Sequence, residues 1–143
     1  MTPAELRRLF EHVAPDLDAM AASWALIGSG ALILLGVPLE AAGDLDVVVD
    51  ADGARRLRSA WTEWLESAEP KAPDGPFRSD DFARYLTPWG PVEVMGGLRV
   101  RGRLLDVAGP IPGAEEQLRI LRLFGRPKDL AKARVVEAFL APG

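Results

Sequence analysis

The stretch that decides the fold is residues 24–49, which read WALIGSGALILLGVPLEAAGDLDVVV. Near its end, Asp44 and Asp46 stand two residues apart at the head of an apolar run. Side chains two apart on a β-strand point to the same face, with about 7 Å between their Cα atoms. Two carboxylates at that distance repel each other by roughly 2–3 kcal/mol at an effective dielectric constant of about 20. A fold tolerates this repulsion when a divalent cation binds both, and oxygen ligands favour Mg²⁺ or a similar hard ion.

A glycine-rich turn precedes the two aspartates. Gly28, Ser29 and Gly30 follow an apolar segment that predicts a buried strand, and they precede a second apolar segment that predicts a helix. Free N–H groups at the start of a helix favour a phosphate group. The hydroxyl of Ser29 can contact a phosphate, cap the helix, or do both. A phosphate site beside a pair of carboxylates is typical of nucleotide transfer.

These residues resemble the signature of the nucleotidyltransferase superfamily, the minimal relatives of polymerase beta, in which Gly-Ser is followed about a dozen residues later by Asp-x-Asp. The family also has a third carboxylate on a later strand, which Glu93 matches here. The resemblance implies an enzyme in which Asp44, Asp46 and Glu93 are catalytic. Asp44 and Asp46 would hold two Mg²⁺ ions, with Mn²⁺ as a substitute, and Glu93 would either be a third metal ligand or accept the proton of the acceptor hydroxyl. It also implies that Gly28 and Ser29 position a nucleoside triphosphate, whose nucleoside monophosphate passes to a hydroxyl of an unidentified acceptor.

A second resemblance lies near the C-terminus. Residues 125–130, Gly-Arg-Pro-Lys-Asp-Leu, are similar to the Arg-x-Lys-Asp motif of the abortive-infection branch, which includes toxin-like nucleotidyltransferases. The resemblance implies that Lys128 binds nucleotide, and it makes a homodimer or an antitoxin-like partner an expectation. Gly43 replaces the Ser or Thr of many members, and Lys132 replaces a second acid of the motif. The alternative is therefore a catalytically idle nucleotide-binding or toxin–antitoxin-type interaction module of the same fold.

Two groups of basic residues, three alternating arginines and Lys128, each allow two interpretations. Arg99, Arg101 and Arg103 alternate within residues 98–107, which predict one strand, so they would form a stripe on one strand face. The stripe either discourages pairing between sheet edges or guides a triphosphate or acceptor, and in the second case Arg101 binds nucleotide. Lys128 either reaches a phosphate or belongs to a solvated face on which Asp129 and Lys132 form an ion pair.

Composition excludes several functional classes. The chain has no cysteine, hence no disulfide, thiolate nucleophile or zinc–thiolate site, and this suits a cytoplasmic location. Its single histidine, His12, lies on a predicted N-terminal helix far from Ser29, so Ser29 lacks the partner of a hydrolase nucleophile. The formal net charge of −4 disfavours nucleic acid as a partner. A small molecule or a protein is the expected acceptor.

An uncharged stretch, residues 19–39, is long enough on paper to cross a bilayer. It contains Ser23, three glycines and Pro38, and no basic flank precedes it as a signal peptide would require. A buried strand, a tight turn and a buried helix explain the stretch better. We therefore expect no membrane association.

The 143 residues suit a single domain, 1–143, that buries a proper core. The patterns predict helices over residues 3–12, 15–22, 31–35 and 52–67, and two more from Gly113 onward, divided by Gly125 and Pro127. They predict strands over residues 24–27, 45–49, 82–86, 92–95 and 98–107, with 82–95 as a hairpin and 69–75 as a loop. This order is typical of an α+β (mixed α/β) fold, with a mixed twisted sheet flanked by helices and a C-terminal helical pair.

Overall fold

The computed structural model describes residues 1–69 and 75–142. Its α-helices are α1 (Pro3–Met20), α2 (Gly28–Leu34), α3 (Ala51–Ala60), α4 (Ala114–Phe124) and α5 (Pro127–Leu140). Its strands are β1 (Trp24–Ile27), β2 (Leu45–Val49), β3 (Leu65–Ser67), β4 (Phe77–Arg78), β5 (Asp81–Thr87), β6 (Gly90–Gly96), β7 (Arg99–Val100) and β8 (Arg103–Leu104). The loop predicted over residues 69–75 falls mainly on 70–74, which lie outside the described residues.

The larger sheet is mixed, as predicted. Its strand order is β1-β2-β6-β5-β3, in which β2 and β6 run parallel and the other neighbours run antiparallel. The valines of β2 and β6 suit strands that are buried between neighbours. A smaller antiparallel sheet has the order β4-β7-β8. The helices flank these sheets, so the described residues have the mixed α/β architecture that the sequence predicts.

Two clusters of buried side chains cover opposite faces of the larger sheet. On one face, apolar residues of α1 and α3 pack against Val47 and Val49. On the other face, Ile27 and Val48 pack with Ile120 and Phe124 of α4. Because side chains alternate along a strand, Asp46 shares the face of Val48. Asp46 therefore lies on the α4 side of the sheet.

The first helix is longer than predicted. The sequence predicts a break before Pro15, whereas α1 is continuous from Pro3 to Met20. A proline inside a helix costs about 3 kcal/mol, because it removes a hydrogen bond and crowds the preceding turn. Four buried side chains form one stripe that extends past the proline, namely Leu6, Leu9, Val13 and Leu17. Burial of each stabilises the fold by about 1.5–3 kcal/mol, so packing outweighs the cost of the proline.

The helix predicted over residues 52–67 is shorter than expected. Helix α3 ends at Ala60, and residues 65–67 form β3, which pairs with β5. Trp61 is buried, and its Nε1 donates a hydrogen bond to Asp16 on α1, which fixes the point where the chain leaves the helix. The cap of α3 is Asp50, two residues before the start of the predicted helix, since Asp50 accepts a hydrogen bond from the backbone N–H of Gly53.

Residues 98–107 form a hairpin rather than one strand. The turn residues Arg101 and Gly102 have φ angles of +50° and +80°. Positive φ at both central residues is typical of a type I′ hairpin turn. Arg99 and Arg103 lie on the two different strands, and Arg101 stands in the turn between them. The predicted basic stripe along one strand face is therefore wrong.

Other elements agree with the sequence patterns. Strands β1 and β2 have the predicted bounds, β5 and β6 form the predicted hairpin, and Gly125, with φ of +69°, separates α4 from α5. Helix α2 begins at Gly28, three residues earlier than predicted. Within residues 1–69 and 75–142, no helix is long and apolar enough to span a bilayer. Residues 19–39 instead contain the end of α1, strand β1 and helix α2.

Candidate active site

A row of charged residues crosses the larger sheet. Asp46 on β2 lies opposite Glu93 on β6, and Glu93 in turn lies opposite Arg84 on β5. Asp44 immediately precedes β2. One carboxylate oxygen from each of Asp44, Asp46 and Glu93 lies within 4.8 Å of the other two. The fold thus brings together the three acids that the sequence singles out, and they form a carboxylate trio.

The glycine turn lies against the carboxylate trio. Ile27 pairs with Asp46 in the β1–β2 ladder, so Gly28 follows directly beside that carboxylate. A Cβ atom added at Gly28 would lie only 2.6 Å from Oδ2 of Asp46, and Gly28 has a φ of +79°. The close approach and the left-handed backbone both require glycine here. Ser29 is the second residue of α2.

Asp46 carries the clearest sign of a ligand. Its Oδ1 atom is buried and has no hydrogen-bond partner among the described residues. Burial raises the pKa of Asp46 well above its ordinary value, and the neighbouring carboxylates of Asp44 and Glu93 raise it further. A buried carboxylate without a donor is costly unless a proton or a cation satisfies it. Three converging oxygen donors suit a hard divalent cation.

Arg84 is a site residue that the sequence patterns do not identify. Its Nη1 donates hydrogen bonds to Oδ2 of Asp44 at 2.8 Å and to Oε1 of Glu93 at 2.9 Å. Its Nε donates to Oε2 of Glu66 on β3 at 2.8 Å. Burial alone would lower the pKa of Arg84, but these hydrogen bonds to carboxylates outweigh it and raise that pKa. The guanidinium therefore stays charged and neutralises part of the carboxylate trio.

The carboxylate trio lines a cleft of about 1200 Å³, which we call the main cleft. Gly28 and Ser29 line it too, and Lys128 and Lys132 contribute positive charge from α5. Much of the remaining wall is apolar and includes Phe77, Met95, Leu98, Ile120 and Phe124. The main cleft therefore joins the acids, the glycine turn and the predicted nucleotide-binding lysine.

Gln117 is a second residue of the main cleft that the sequence patterns do not identify. Its side chain is buried, and Nε2 donates a hydrogen bond to the carbonyl oxygen of Leu26 on β1 at 2.9 Å. This bond ties α4 to the strand that leads into the glycine turn. Gln117 thus helps to hold the helix that closes one side of the main cleft.

Asp129 has a structural role. Its side chain is 4% exposed, and its Oδ2 accepts hydrogen bonds from Nε of Arg126 at 2.5 Å and from the backbone N–H of Arg126 at 3.2 Å. These bonds hold the first turn of α5, where a negative charge is favourable. The guanidinium of Arg126 also lies 4.6 Å from the ring centre of Phe77. The interpretation of Asp129 and Lys132 as a surface ion pair is therefore wrong.

Arg101 lies apart from these residues. Its Nη1 donates a hydrogen bond to the carbonyl oxygen of Leu123 at 2.6 Å. With Arg103 and Arg119, it lines a second cleft of about 460 Å³. Arg101 is not one of the described residues that line the main cleft. The predicted nucleotide-binding role of Arg101 gains no support from its position.

Comparison with known proteins bears on the fold. No family model matches the sequence, and no curated protein matches it significantly. A solved structure that matches is that of a "putative nucleotidyltransferase" from Thermotoga maritima, with 21% sequence identity and a TM-score of 0.69. The match covers 98% of this chain and 95% of that chain.

The match defines a class of architecture. Likeness over nearly the whole length shows that this chain has the nucleotidyltransferase fold, which the Gly-Ser and Asp-x-Asp residues predict. At this level of identity, the likeness concerns the fold alone. The placement in the toxin-like branch stays a prediction.

Proposed function

We propose that this protein is a divalent-metal-dependent nucleotidyltransferase, which moves a nucleoside monophosphate from a nucleoside triphosphate to a hydroxyl group and releases pyrophosphate. The observation that carries the proposal is the convergence of the carboxylate trio beside Gly28. Within the described residues, the buried Oδ1 of Asp46 has no donor to satisfy it. Because a fold does not by itself imply an activity, the proposal rests on these side chains.

The carboxylate trio would hold the metal. Two Mg²⁺ ions, or Mn²⁺ in their place, would neutralise the triphosphate and align the acceptor oxygen for attack on the α-phosphorus. The parallel ladder between β2 and β6 fixes Asp46 and Glu93 relative to each other, so neither carboxylate depends on a loop for its position. Glu93 would either hold metal or accept the proton of the acceptor hydroxyl.

Other residues of the main cleft would bind the nucleotide. Gly28 and Ser29 line it next to Asp46, and Gly28 has no side chain to obstruct a phosphate. Lys128, in the first turn of α5, would supply a positive charge to the triphosphate. The apolar part of the wall, which includes Phe77 and Phe124, would accommodate the base or an apolar part of the acceptor.

The acceptor in this proposal is a small molecule or a protein. The formal net charge of −4 does not favour the broad electrostatic binding that nucleic acid requires. A cytoplasmic location and a homodimeric or antitoxin-like partner stay predictions.

One observation favours a second candidate function. The guanidinium of Arg84 already satisfies oxygens of Asp44 and Glu93, as it would in a site that never handles metal. In that case the chain would be a catalytically idle nucleotide-binding or toxin–antitoxin-type interaction module of the same fold.

Thermal unfolding with a panel of nucleoside triphosphates tests the proposal, because a ligand that binds the native state raises the melting temperature. We expect stabilisation by at least one nucleotide only when Mg²⁺ or Mn²⁺ is present. In the matched variant Asp46→Asn, the metal-dependent rise in melting temperature should disappear. Equal stabilisation of the two proteins would contradict the metal site.

Transfer itself requires a labelled nucleotide. Incubation of the protein with labelled nucleoside triphosphates and a broad extract of acceptors should label a product in the presence of Mg²⁺. Nucleotide binding without any labelled product would favour the idle module.

A further inference from the structure

We propose that Arg84 is a resident counter-ion, which occupies the carboxylate trio in the metal-free protein and competes with the divalent cation for it. This inference rests on the proposed metal site. It assigns to Arg84 a control over metal affinity that neither the sequence motifs nor the fold comparison indicates.

The contacts of Arg84 define a cation site. One nitrogen, Nη1, lies within hydrogen-bond distance of both Asp44 and Glu93, which are two of the three members of the carboxylate trio. The side chain is 17% exposed, so water screens these contacts only in part. A divalent ion bound by the same carboxylates would lie close to this positive charge, and the two cations would repel each other.

The register of the sheet keeps Arg84 in this position. Arg84 is the cross-strand neighbour of Glu93, so its side chain starts on the same face as the carboxylate trio. Strand β5 is itself paired on both sides, with β6 and with β3. The guanidinium can therefore release the carboxylates only through rotation of the side chain, without movement of the strand.

Glu66 gives the guanidinium a partner outside the carboxylate trio. Nε of Arg84 donates to Oε2 of Glu66, whose side chain is 44% exposed at the edge strand β3. This bond uses a different nitrogen from the one that contacts Asp44 and Glu93. When a metal displaces Nη1, Arg84 keeps an ion pair, so the exchange does not leave a buried positive charge without a partner.

The test compares the wild-type protein with Arg84→Met by calorimetric titration with MnCl₂ in the absence of nucleotide. Methionine keeps much of the apolar stem of arginine and removes the charge. We expect Mn²⁺ to bind Arg84→Met about tenfold more tightly than wild type, which corresponds to about 1.4 kcal/mol. In EDTA the variant should melt at a lower temperature, because the three carboxylates then repel each other without compensation.

Two further variants act as controls. Arg84→Lys keeps a positive charge on β5, so its Mn²⁺ affinity should stay closer to that of wild type than to that of Arg84→Met. Arg58→Met removes another partly buried arginine. Nη2 of Arg58 lies 2.5 Å from Oδ1 of Asp81, which is on β5 as Arg84 is. Arg58 has no hydrogen bond to the carboxylate trio among its described contacts, so its replacement should lower stability and leave Mn²⁺ affinity within about twofold.

Unchanged or weaker Mn²⁺ binding by Arg84→Met would overturn the proposal, since Arg84 would then only orient the carboxylates. If that variant fails to fold in EDTA, Arg84→Gln decides the question, because its amide can still donate to one carboxylate while the charge is absent. Asp46→Asn separates this inference from the proposed function. Loss of Mn²⁺ binding in Asp46→Asn without a gain in the Arg84 variants would reject only the counter-ion, whereas equal binding by Asp46→Asn and wild type would reject the metal site.

Discussion

Arg84 and Glu93 lie opposite each other on antiparallel strands, and Nη1 of Arg84 is 2.9 Å from Oε1 of Glu93. The same nitrogen reaches Asp44, so one side chain connects β5 to acids on two other segments. The charged side chains of Asp46, Glu93 and Arg84 therefore form a cross-strand row, which Asp44 joins from the residue just before β2. Such a row holds carboxylates at close distance before any ligand arrives, which is the preorganisation that a metal site needs.

The first prediction concerns Gly28 and its matched control, Gly36. Both have positive φ angles, but a Cβ atom at Gly36 would meet no atom of the described residues within 4 Å, whereas one at Gly28 would meet Asp46. Gly36→Ala should lower the free energy of unfolding by about 1–2 kcal/mol through backbone strain alone. Gly28→Ala should cost more and should also weaken Mn²⁺ binding about tenfold, because Asp46 must move. Chemical denaturation and calorimetry measure the two effects, and equal Mn²⁺ affinity in both variants would contradict the close approach.

The second prediction concerns pH. Burial, and then the charges of Asp44 and Glu93, raise the pKa of Asp46, so the folded protein holds this proton more tightly than the unfolded chain does. Without metal, Asp46 therefore destabilises the fold as pH rises from its ordinary pKa through the raised one. Asp46→Asn cannot ionise. In EDTA its stability relative to wild type should increase from about pH 4 towards pH 7, as measured by thermal or denaturant unfolding.

Asp50→Asn provides a control of opposite sign. Burial alone would raise the pKa of Asp50, but hydrogen bonds from the backbone N–H groups of Ser23, Gly53 and Ala22 lower it. Asp50 thus contributes stability above its ordinary pKa, and the contribution disappears as pH falls through the lowered value. The stability deficit of Asp50→Asn should therefore shrink towards low pH. Parallel pH profiles for the two variants would be incompatible with this assignment.

The third prediction separates catalysis from binding. Glu93→Gln removes one negative charge from the carboxylate trio with little change of volume. Transfer should be abolished, while binding of the nucleotide with Mg²⁺ should stay within about tenfold of wild type, or about 1.4 kcal/mol. The labelled-nucleotide assay and calorimetry give the two readouts. A wild-type protein that binds nucleotide but transfers nothing, with an identical Glu93→Gln, would support the idle module.

The fourth prediction tests Lys128. Lys128→Met removes a positive charge that lines the main cleft from the first turn of α5. Nucleoside triphosphate should bind about tenfold more weakly in calorimetric titration with Mg²⁺ present, which corresponds to a loss of about 1.4 kcal/mol of binding free energy. Arg134→Met is the control, because Arg134 is an exposed cation on the same helix that does not line the main cleft in the described part of the chain. The same loss of affinity in both variants would indicate a general charge effect instead.

The candidate site follows closely from local sequence patterns. Strand alternation relates Asp44 to Asp46, and the Gly-Ser turn lies where an apolar strand ends, so both features are visible within 26 residues. Glu93 is predicted only through the family resemblance, because its pairing with Asp46 depends on the order of strands in the sheet. A one-dimensional pattern does not contain that order.

The features that sequence patterns missed depend on register and packing. The position of Arg84 opposite Glu93 follows from the register of the β5–β6 hairpin, in which Thr87 pairs with Gly90. The turn sequence Pro-Trp-Gly-Pro, residues 88–91, does not by itself fix that register. Pro15 predicts a break that the buried stripe of α1 prevents. Arg101 fits a strand by alternation, whereas Gly102 beside it permits the turn that the structure contains.

The parallel pairing of β2 with β6 also bears on how the protein folds. Asp46 and Glu93 are 47 residues apart in the sequence, so a partly folded chain that has formed β1 and β2 but not β6 offers a metal only the two aspartates. At the proposed site, full metal affinity would require the two distant strands to dock. A bound divalent ion would therefore act as a clamp across the sheet and favour the fully assembled chain over its intermediates. Release of metal during unfolding would mark the moment when β2 and β6 separate.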